Sequence, residues 1–377
     1  MRAYLDHNAT TFPLPEVWDQ VLSLRALRLG NPSSPHQEGR QARLLLDQAR
    51  WAVARLLDAE PEEVVFTSSG TEANLTALQG LARSLGGPAG IHLYLGSTEH
   101  PSVFAAAQRL EAEGARVTLL PVDSRGLVRG ESLRQLVAPA VVCVQLANHE
   151  TGVLQPLPEL LAQVRDQGVR VHCDAVQAVG KIPVSFRQLP VHTMSLSGHK
   201  IGGLAGGAAL LVRSGVMLPP LIPGEQERRL RGGTEAVLAC CALGWACRVW
   251  QERQGFWGRV ESLRDAMEAR LLATVPGLRV VGEGAPRTPN TSCLAFPPPL
   301  RGDTLVTALD LEGIAVSSGP ACSSGALRES AVVRAMGMAD LAPRTLRVSL
   351  GFDTAAEELD VFVDALLRVI ARAGTRP

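Results

Sequence analysis

The chain has 377 residues, of which 46% are hydrophobic, and its 37 basic and 37 acidic residues leave no net charge. A chain of this length holds about two to three average domains, or a large domain with a smaller one. The balanced charge argues against direct binding of nucleic acid or of a membrane surface.

Short β-rich runs alternate with helical patterns between residues 60 and 215. The predicted strands are, in chain order, Val64–Ser68, Ile91–Leu95, Arg116–Pro121, Val141–Leu146, Arg170–Ala175, Thr193–Ser197 and Ala208–Val212. The predicted helices between them are Glu72–Ser84, Val103–Glu113, Glu131–Val137 and Leu157–Gln167. Several strands are continuous apolar runs, as strands buried on both faces require. The alternation predicts an α/β fold with a mostly parallel central sheet covered on both faces.

The pattern changes after Gly233. Residues Glu235–Thr274 predict one or two long helices, and Ala355–Ala373 predicts a C-terminal helix. Between them lie the short predicted strands Leu278–Val281, Thr291–Ala295, Ile314–Ser317 and Thr345–Ser349. This α+β character predicts a second, smaller domain. We expect a large domain over residues 13–250 and a smaller domain built from residues 1–12 and 251–377.

The chain has only two lysines, and one of them, Lys200, lies in the segment Ser197-Gly198-His199-Lys200. Lysine, unlike arginine, forms Schiff bases with carbonyl compounds, including pyridoxal phosphate (PLP). A lysine kept in a chain that otherwise uses arginine therefore suggests covalent chemistry. The other lysine, Lys181, follows a glycine, and we expect it to be an ordinary exposed turn residue.

Three further segments offer what a PLP site in a large α/β domain requires. Asp174 ends a predicted strand, where its carboxylate would reach the ligand crevice and keep the pyridine nitrogen protonated. Gly70 and Thr71 lie between a strand and a helix, and the backbone N–H groups of a helix N-terminus bind phosphate. Taken alone, Asp174 and the Gly70 segment could equally be helix caps. The remaining candidates are Ser197 and His199 for the phosphate and His100, after another strand, for ring stacking.

The seven cysteines indicate a reduced protein. Their number is odd and no pair has CxxC spacing, which argues against a disulfide framework and a zinc site. The first residues lack the apolar run of a signal peptide, and the longest apolar stretches are too short to cross a membrane. We therefore expect a cytoplasmic enzyme.

Cys322 differs from the other cysteines because small residues and glycines surround it, in Ser317-Ser318-Gly319-Pro320-Ala321-Cys322-Ser323-Ser324-Gly325. Such a composition predicts a flexible, exposed loop. A thiol on an exposed loop is a candidate nucleophile, although an incidental surface cysteine is the alternative.

Taken together, these motifs resemble the cysteine desulfurases, PLP enzymes of the class V aminotransferase group. The resemblance covers nearly the whole chain and adds the segments Tyr4–Thr11, Asn31–Arg40, Glu150–Val153, Leu230–Thr234 and Leu346–Gly351. The segment from Ala321 to Gly337 is similar to the longer loop of the nitrogen-fixation and iron–sulfur branch. The family usually has Asn-Asn before Glu150, where this chain has Asn148-His149. Either His149 or Asn148 could therefore take the cofactor-contacting role.

The resemblance implies a PLP-dependent transferase of fold type I that converts L-cysteine to L-alanine. Lys200 would bind the cofactor and move the substrate's Cα proton, and Cys322 would take the sulfur as a persulfide. The other implied roles are ring stacking and proton transfer by His100, pairing with the ring nitrogen by Asp174, contact with the ring hydroxyl by Gln177, substrate binding by Arg347 and Asn8, and contact with the partner subunit's cofactor phosphate by Thr234.

The last of these roles implies a homodimer. The resemblance also implies a sulfur acceptor, either an iron–sulfur scaffold or a tRNA-thiolation protein. Three alternatives stay open on the sequence: another class V aminotransferase, a selenocysteine lyase, and a scaffold without catalysis.

Overall fold

The computed structural model describes residues 2–164, 168–253, 255–319 and 329–374. The helices in these ranges are α1 (Pro15–Ser23), α2 (Gln37–Leu56), α3 (Gly70–Ser84), α4 (Pro101–Ala112), α5 (Leu157–Leu161), α6 (Val237–Glu252), α7 (Trp257–Thr274), α8 (Gly302–Leu311), α9 (Ala331–Ala335) and α10 (Ala356–Gly374). The strands are β1 (Ala3–Tyr4), β2 (Val64–Thr67), β3 (His92–Gly96), β4 (Arg116–Leu120), β5 (Ala140–Cys143), β6 (Val169–Asp174), β7 (Thr193–Ser197), β8 (Ala208–Val212), β9 (Arg279–Val280), β10 (Thr291–Ala295), β11 (Ile314–Ala315) and β12 (Thr345–Ser349).

The central sheet has the strand order β2-β8-β7-β6-β5-β3-β4. Strand β8 runs antiparallel to both of its neighbours, and the other pairs are parallel. The predicted mostly parallel sheet is therefore confirmed. Its parallel strands end at one edge, and the loops that follow β2, β3, β6 and β7 meet there.

Helices cover the sheet on both faces because its strands are apolar on both sides. Val141 and Cys143 of β5 pack with α3 and α4 in one cluster of buried residues. Their neighbour Val142 points the other way, into a cluster with α1, α2 and α6. This alternation follows from the two-residue period of a strand.

The chain termini build a second group of elements. Strand β1 pairs with β11, and β12, β10 and β9 form an antiparallel sheet. Ala3 and Leu5 share a buried cluster with apolar residues of α7, α8 and α10. Residues near both ends of the chain thus pack into one core, and Arg347 of β12 contacts the segment that follows β5 through the backbone oxygen of His149.

Two of the predicted helices differ in the structure. Gly130–Gln135 forms a 3₁₀ helix where Glu131–Val137 is predicted. It ends shortly before Pro139, and a proline disfavours the helical conformation in the residue that precedes it. The helix predicted to begin at Leu157 does so, but it passes into a 3₁₀ turn after Leu161. No helix of the described ranges is both long and apolar enough to cross a membrane.

Candidate functional site

A cavity of about 710 Å³ opens at the carboxyl edge of the central sheet. Eleven of the predicted site residues line it: Asn8, Gly70, Thr71, His100, His149, Asp174, Gln177, Ser197, His199, Lys200 and Arg347. They come from segments as far apart as residues 8 and 347, which the fold brings to one place. A volume of this size is typical of small-molecule sites.

Lys200 lies in the short 3₁₀ turn Gly198–Lys200 that follows β7. Its Nζ donates hydrogen bonds to the backbone oxygens of Asn8, at 2.6 Å, and Ala9, at 2.7 Å. The amine is partly buried and faces the cavity. The N-terminal segment therefore holds the lysine at the edge of the sheet.

Asp174 ends β6, the strand next to β7, and a buried polar network orients its carboxylate. Asn74 donates from Nδ2 to Asp174 Oδ2 at 2.7 Å, and the backbone N–H of Val176 donates to Oδ1 at 3.0 Å. Asn74 Oδ1 lies 2.6 Å from Ser195 Oγ and 2.9 Å from His172 Nε2.

Burial lowers the pKa of His172 to about 4, so the ring is neutral at neutral pH. Its Nε2–H then donates to Asn74 Oδ1, which leaves the Asn74 amide facing Asp174. Asn74 and His172 were not among the sequence candidates. Their position beside Asp174 depends on contacts about 100 residues apart in the chain, which no local pattern reveals.

The N-terminus of α3 offers an anion site at another wall of the cavity. Ser69 caps the helix by accepting from the backbone N–H of Glu72 at 3.1 Å. Glu72 in turn accepts from the backbone N–H of Ser68 at 2.8 Å and from Arg231 Nε at 2.8 Å. A Cβ on Gly70 would lie only 2.9 Å from Val176 Cγ2. The glycine therefore allows the helix end to approach the loop that follows Asp174.

His100 and His149 form adjacent parts of the wall, with ring centroids 5.2 Å apart and planes at 76°. His100 caps α4, where its Nδ1 accepts from the backbone N–H of Ser102 at 3.2 Å. Burial and the charges of His100, Arg347 and Lys200 hold the pKa of His149 well below its usual value, so the ring is neutral. Among the described residues, His149 Nδ1 has no hydrogen-bond partner.

The structure separates the roles of Asn148 and His149. Asn148 Nδ2 donates to the backbone oxygen of Thr98 at 3.0 Å. Its Oδ1 accepts from the backbone N–H groups of Glu150 and Thr151, at 2.9 and 2.8 Å. The Asn148 carboxamide thus closes a turn and does not line the cavity, whereas His149 does.

Arg347 reaches the cavity from β12 and is 2% exposed. Its Nη2 donates to Asp6 Oδ1 at 2.7 Å, and its Nη1 donates to the backbone oxygen of His149 at 3.0 Å. Within the described ranges its Nε is buried without a partner. The guanidinium is thus a fixed positive charge with a donor left over, as binding of a carboxylate requires.

The expectation that Lys181 is an exposed turn lysine is wrong. The side chain is 5% exposed, and its Nζ donates to Gln177 Oε1 at 2.6 Å and to Asn8 Oδ1 at 2.8 Å. The turn after β6 folds inward under the N-terminal segment, so its polar residues face the site rather than solvent. The sequence alone does not show whether this turn faces the site or the solvent.

Glu99 is a further cavity residue that the sequence analysis missed. Burial and the nearby charge of Asp174 raise the pKa of its carboxyl well above the usual value. Its Oε1 accepts from the backbone N–H of Gln145 at 2.8 Å. Burial beside Asp174 thus favours the protonated form of Glu99 relative to an exposed glutamate.

Among the described residues, two predicted site residues do not line the cavity: Asn148 and Thr234. Thr234 is exposed, away from the residues that line it. Cys322 lies outside the described residues. The other six cysteines are all buried, and burial raises the pKa of the Cys241 thiol to about 12. None of these six therefore offers an accessible thiolate.

The family model for class-V aminotransferases matches residues 3–362. The chain belongs to the class-V aminotransferase family. A relative from Cereibacter sphaeroides that is named cysteine desulfurase is 40% identical over 375 residues, which cover 98% of this chain and 96% of that protein. The cysteine desulfurase NifS of Azotobacter vinelandii is 39% identical, over 98% of this chain and 92% of that protein.

A solved structure shows the same fold. A NifS-like protein of 32% sequence identity superposes with a TM-score of 0.91, covering 99% of this chain and all of that one. Sequence and structure thus agree on the family, and the resemblance to cysteine desulfurases is confirmed over nearly the full length.

Proposed function

We propose that this protein is a PLP-dependent cysteine desulfurase, which takes the sulfur of L-cysteine and releases L-alanine. Relatives of that activity match along nearly the whole chain. The observation that carries the proposal is the placement of Lys200 and Asp174 at the ends of adjacent strands, facing one cavity that Arg347 also lines.

The residues of the cavity fit PLP. Lys200 would hold its aldehyde carbon, and Asp174 would hold a proton on its pyridine nitrogen. The N-terminus of α3, with Ser197 and His199, suits its phosphate. The orphaned Nδ1 of His149 and the close approach at Gly70 are the features of this chain that support a bound group.

When bound, the cofactor supplies an electron sink next to the substrate's Cα. Arg347 would bind the substrate carboxylate through charge-assisted hydrogen bonds. The Lys200 amine would then take and return the Cα proton. The buried polar network around Asp174 keeps the carboxylate in one orientation, so this residue needs no rearrangement during the reaction.

Cys322 is the residue we propose as the sulfur acceptor. Its thiolate would attack the sulfur of the substrate, so that an S–S bond forms, the substrate's C–S bond breaks, and the carbon skeleton leaves as alanine after protonation. The nucleophile must be a thiolate, which the six buried cysteines do not offer. The composition around Cys322 also suits a segment that carries sulfur outward.

Cofactor binding and the transfer of sulfur would also involve partner molecules. Thr234 is exposed on its own subunit, which suits contact with the cofactor phosphate of a second copy, and we infer a homodimer. The persulfide would pass to an iron–sulfur scaffold or a tRNA-thiolation protein. The balanced charge and the unpaired buried cysteines support a cytoplasmic setting without direct binding of nucleic acid.

The test is to measure alanine and sulfide from L-cysteine in the presence of dithiothreitol, for the wild type and for Cys322→Ala. The wild type should release both in equal amounts, and Cys322→Ala should release neither. Cys241→Ala removes a buried thiol on α6 and is the matched control, expected to remain active.

The other outcomes identify the rivals. With a 2-oxo acid added as amino acceptor, 3-mercaptopyruvate formed equally well by Cys322→Ala would indicate transamination. A strong preference for selenocysteine would indicate a lyase. A colourless protein that takes up no PLP would indicate a scaffold and contradict the proposal.

A further inference from the structure

The two lysines of the chain meet at one residue. Lys200 donates to the backbone oxygen of Asn8, and Lys181 donates to the side-chain oxygen of the same residue. Both lysines also line a small internal cavity of about 10 Å³. Lys181 has no part in the proposed chemistry, so its burial beside Lys200 requires another explanation.

Among the residues that the structure describes, Lys181 has no ion-pair partner. Its two hydrogen-bond partners, Asn8 Oδ1 and Gln177 Oε1, are neutral carboxamide oxygens. Burial and the charges of Lys200 and Arg347 hold its pKa well below the usual value. Burying an amine in this way is unfavourable unless its hydrogen bonds are made, and both of them end on side chains that line the main cavity.

Those two bonds decide which way the Gln177 amide points. The Lys181 amine donates, so Gln177 must turn its oxygen towards it. The Gln177 amide nitrogen then faces away and donates to the backbone oxygen of Asn8 at 3.0 Å. A flipped amide would set two oxygens against each other, Gln177 Oε1 and the backbone oxygen of Asn8, which disfavours it.

The Asn8 carboxamide is fixed in the same manner. Its Oδ1 accepts from Lys181 and from Asn290 Nδ2, at 2.8 and 3.1 Å. Its Nδ2 donates to Thr291 Oγ1 at 2.9 Å. Because this residue also accepts from Lys200 through its backbone oxygen, a displacement of Asn8 would reach the catalytic lysine.

We propose that Lys181 is a positioning residue that fixes the carboxamides of Gln177 and Asn8, so that Gln177 offers an N–H donor to the cofactor's ring oxygen. The inference rests on the proposed function. It assigns to Lys181 an effect on the cofactor that operates through Gln177 and not through direct contact.

The experiment is a double-variant cycle with Lys181→Met, Gln177→Leu and the combination, all loaded with PLP. The readout is the pH midpoint of the bound cofactor's visible absorption without substrate. Losing a donor to an anionic oxygen should raise this midpoint by about one pH unit in each single variant. The combined variant should match Gln177→Leu alone.

Two results would overturn the inference. An unchanged midpoint in Lys181→Met would show that Gln177 needs no help, and shifts that add in the combined variant would show that Lys181 acts independently. Lys181→Arg keeps donors without an acceptor and should retain the wild-type midpoint. If Lys181→Met does not fold, a shifted midpoint in Lys181→Arg would contradict the inference.

An experiment on the cofactor-free protein tests this inference independently of the proposed function. In a crystal structure of cofactor-free Lys181→Met, we expect the Gln177 amide to have left the Asn8 carbonyl. An unmoved Gln177 would contradict the positioning role, whether or not the wild type takes up PLP. Failure of the wild type to bind PLP, with Gln177 displaced in the variant, would contradict only the proposed function.

Discussion

Single residues of the site differ in how far their positions follow from the sequence. Lys200 and Asp174 could be predicted because each lies at the end of a recognisable strand, and parallel strands end at the same edge of a sheet. Lys181 could not, because its burial depends on where the turn after β6 packs against residue 8, far away in sequence. The same holds for Asn74 and His172, whose role comes from long-range hydrogen bonds.

The sequence leaves open whether Asn148 or His149 contacts the cofactor, and the geometry favours His149. Its neutral ring lines the cavity, and we expect it to hydrogen bond with the cofactor or substrate. His149→Asn keeps a hydrogen-bonding group and should retain most activity. His149→Phe keeps the ring but not the bond and should lower kcat/KM for L-cysteine by about tenfold. Equal activity of both variants would assign His149 to packing alone.

At the scale of elements, the strands of the central sheet were predicted closely because their apolar runs are bounded by polar or glycine-rich turns. Helices α1, α2 and α8 were not assigned from the sequence. Their amphipathic patterns are interrupted by exposed apolar residues, such as Leu44 and Trp51 on α2. The N-terminus of α3 was identified, because a hydroxyl residue before a helical pattern is a local signal.

The start of α3 permits a matched test with two glycines, each in the first turn of a helix. Gly70→Ala places a methyl group 2.9 Å from Val176 Cγ2, whereas a methyl group at Gly258 of α7 would have no described atom within 4 Å. Overpacking costs about 1 to 3 kcal/mol, so Gly70→Ala should bind PLP about tenfold more weakly. Gly258→Ala should bind it normally. Equilibrium dialysis measures the PLP affinities of both variants. Equal affinities would mean that the N-terminus of α3 does not bind the cofactor phosphate.

For the molecule as a whole, the sequence predicted the layered α/β architecture and the additional α+β elements. The division into residues 13–250 and residues 1–12 with 251–377 stays a prediction. The buried cluster that joins Ala3 and Leu5 to α7, α8 and α10 is the observation that favours it. The position of Cys322 relative to Lys200 is the part of the site that rests on sequence alone.

The buried neutral histidines make stability depend on pH. The pKa of His172 is lowered from 6.5 to about 4 in the folded chain, so below pH 6.5 the unfolded chain binds more protons. Above pH 6.5 the neutral His172 ring costs the folded chain nothing relative to the unfolded chain. As the pH falls from 6.5 towards 4, the free energy of unfolding decreases by up to about 3 kcal/mol on account of this residue.

His172→Gln keeps a donor for Asn74 and does not titrate. Urea unfolding between pH 4 and 7 should therefore show a smaller decrease in the free energy of unfolding for this variant. His7, whose pKa is also lowered to about 4, should preserve part of the decrease. Identical pH dependence in the wild type and the variant would mean that His172 is not buried in neutral form.

The most direct test of the central claim is the destination of the sulfur atom. PLP-loaded protein is mixed with L-cysteine without reductant for a single turnover, and its peptides are then analysed by mass spectrometry. We predict one added sulfur atom on the peptide that contains Cys322, none on the six buried cysteines, and none on any peptide of Lys200→Ala. Alanine released while Cys322 carries no added sulfur would contradict the account.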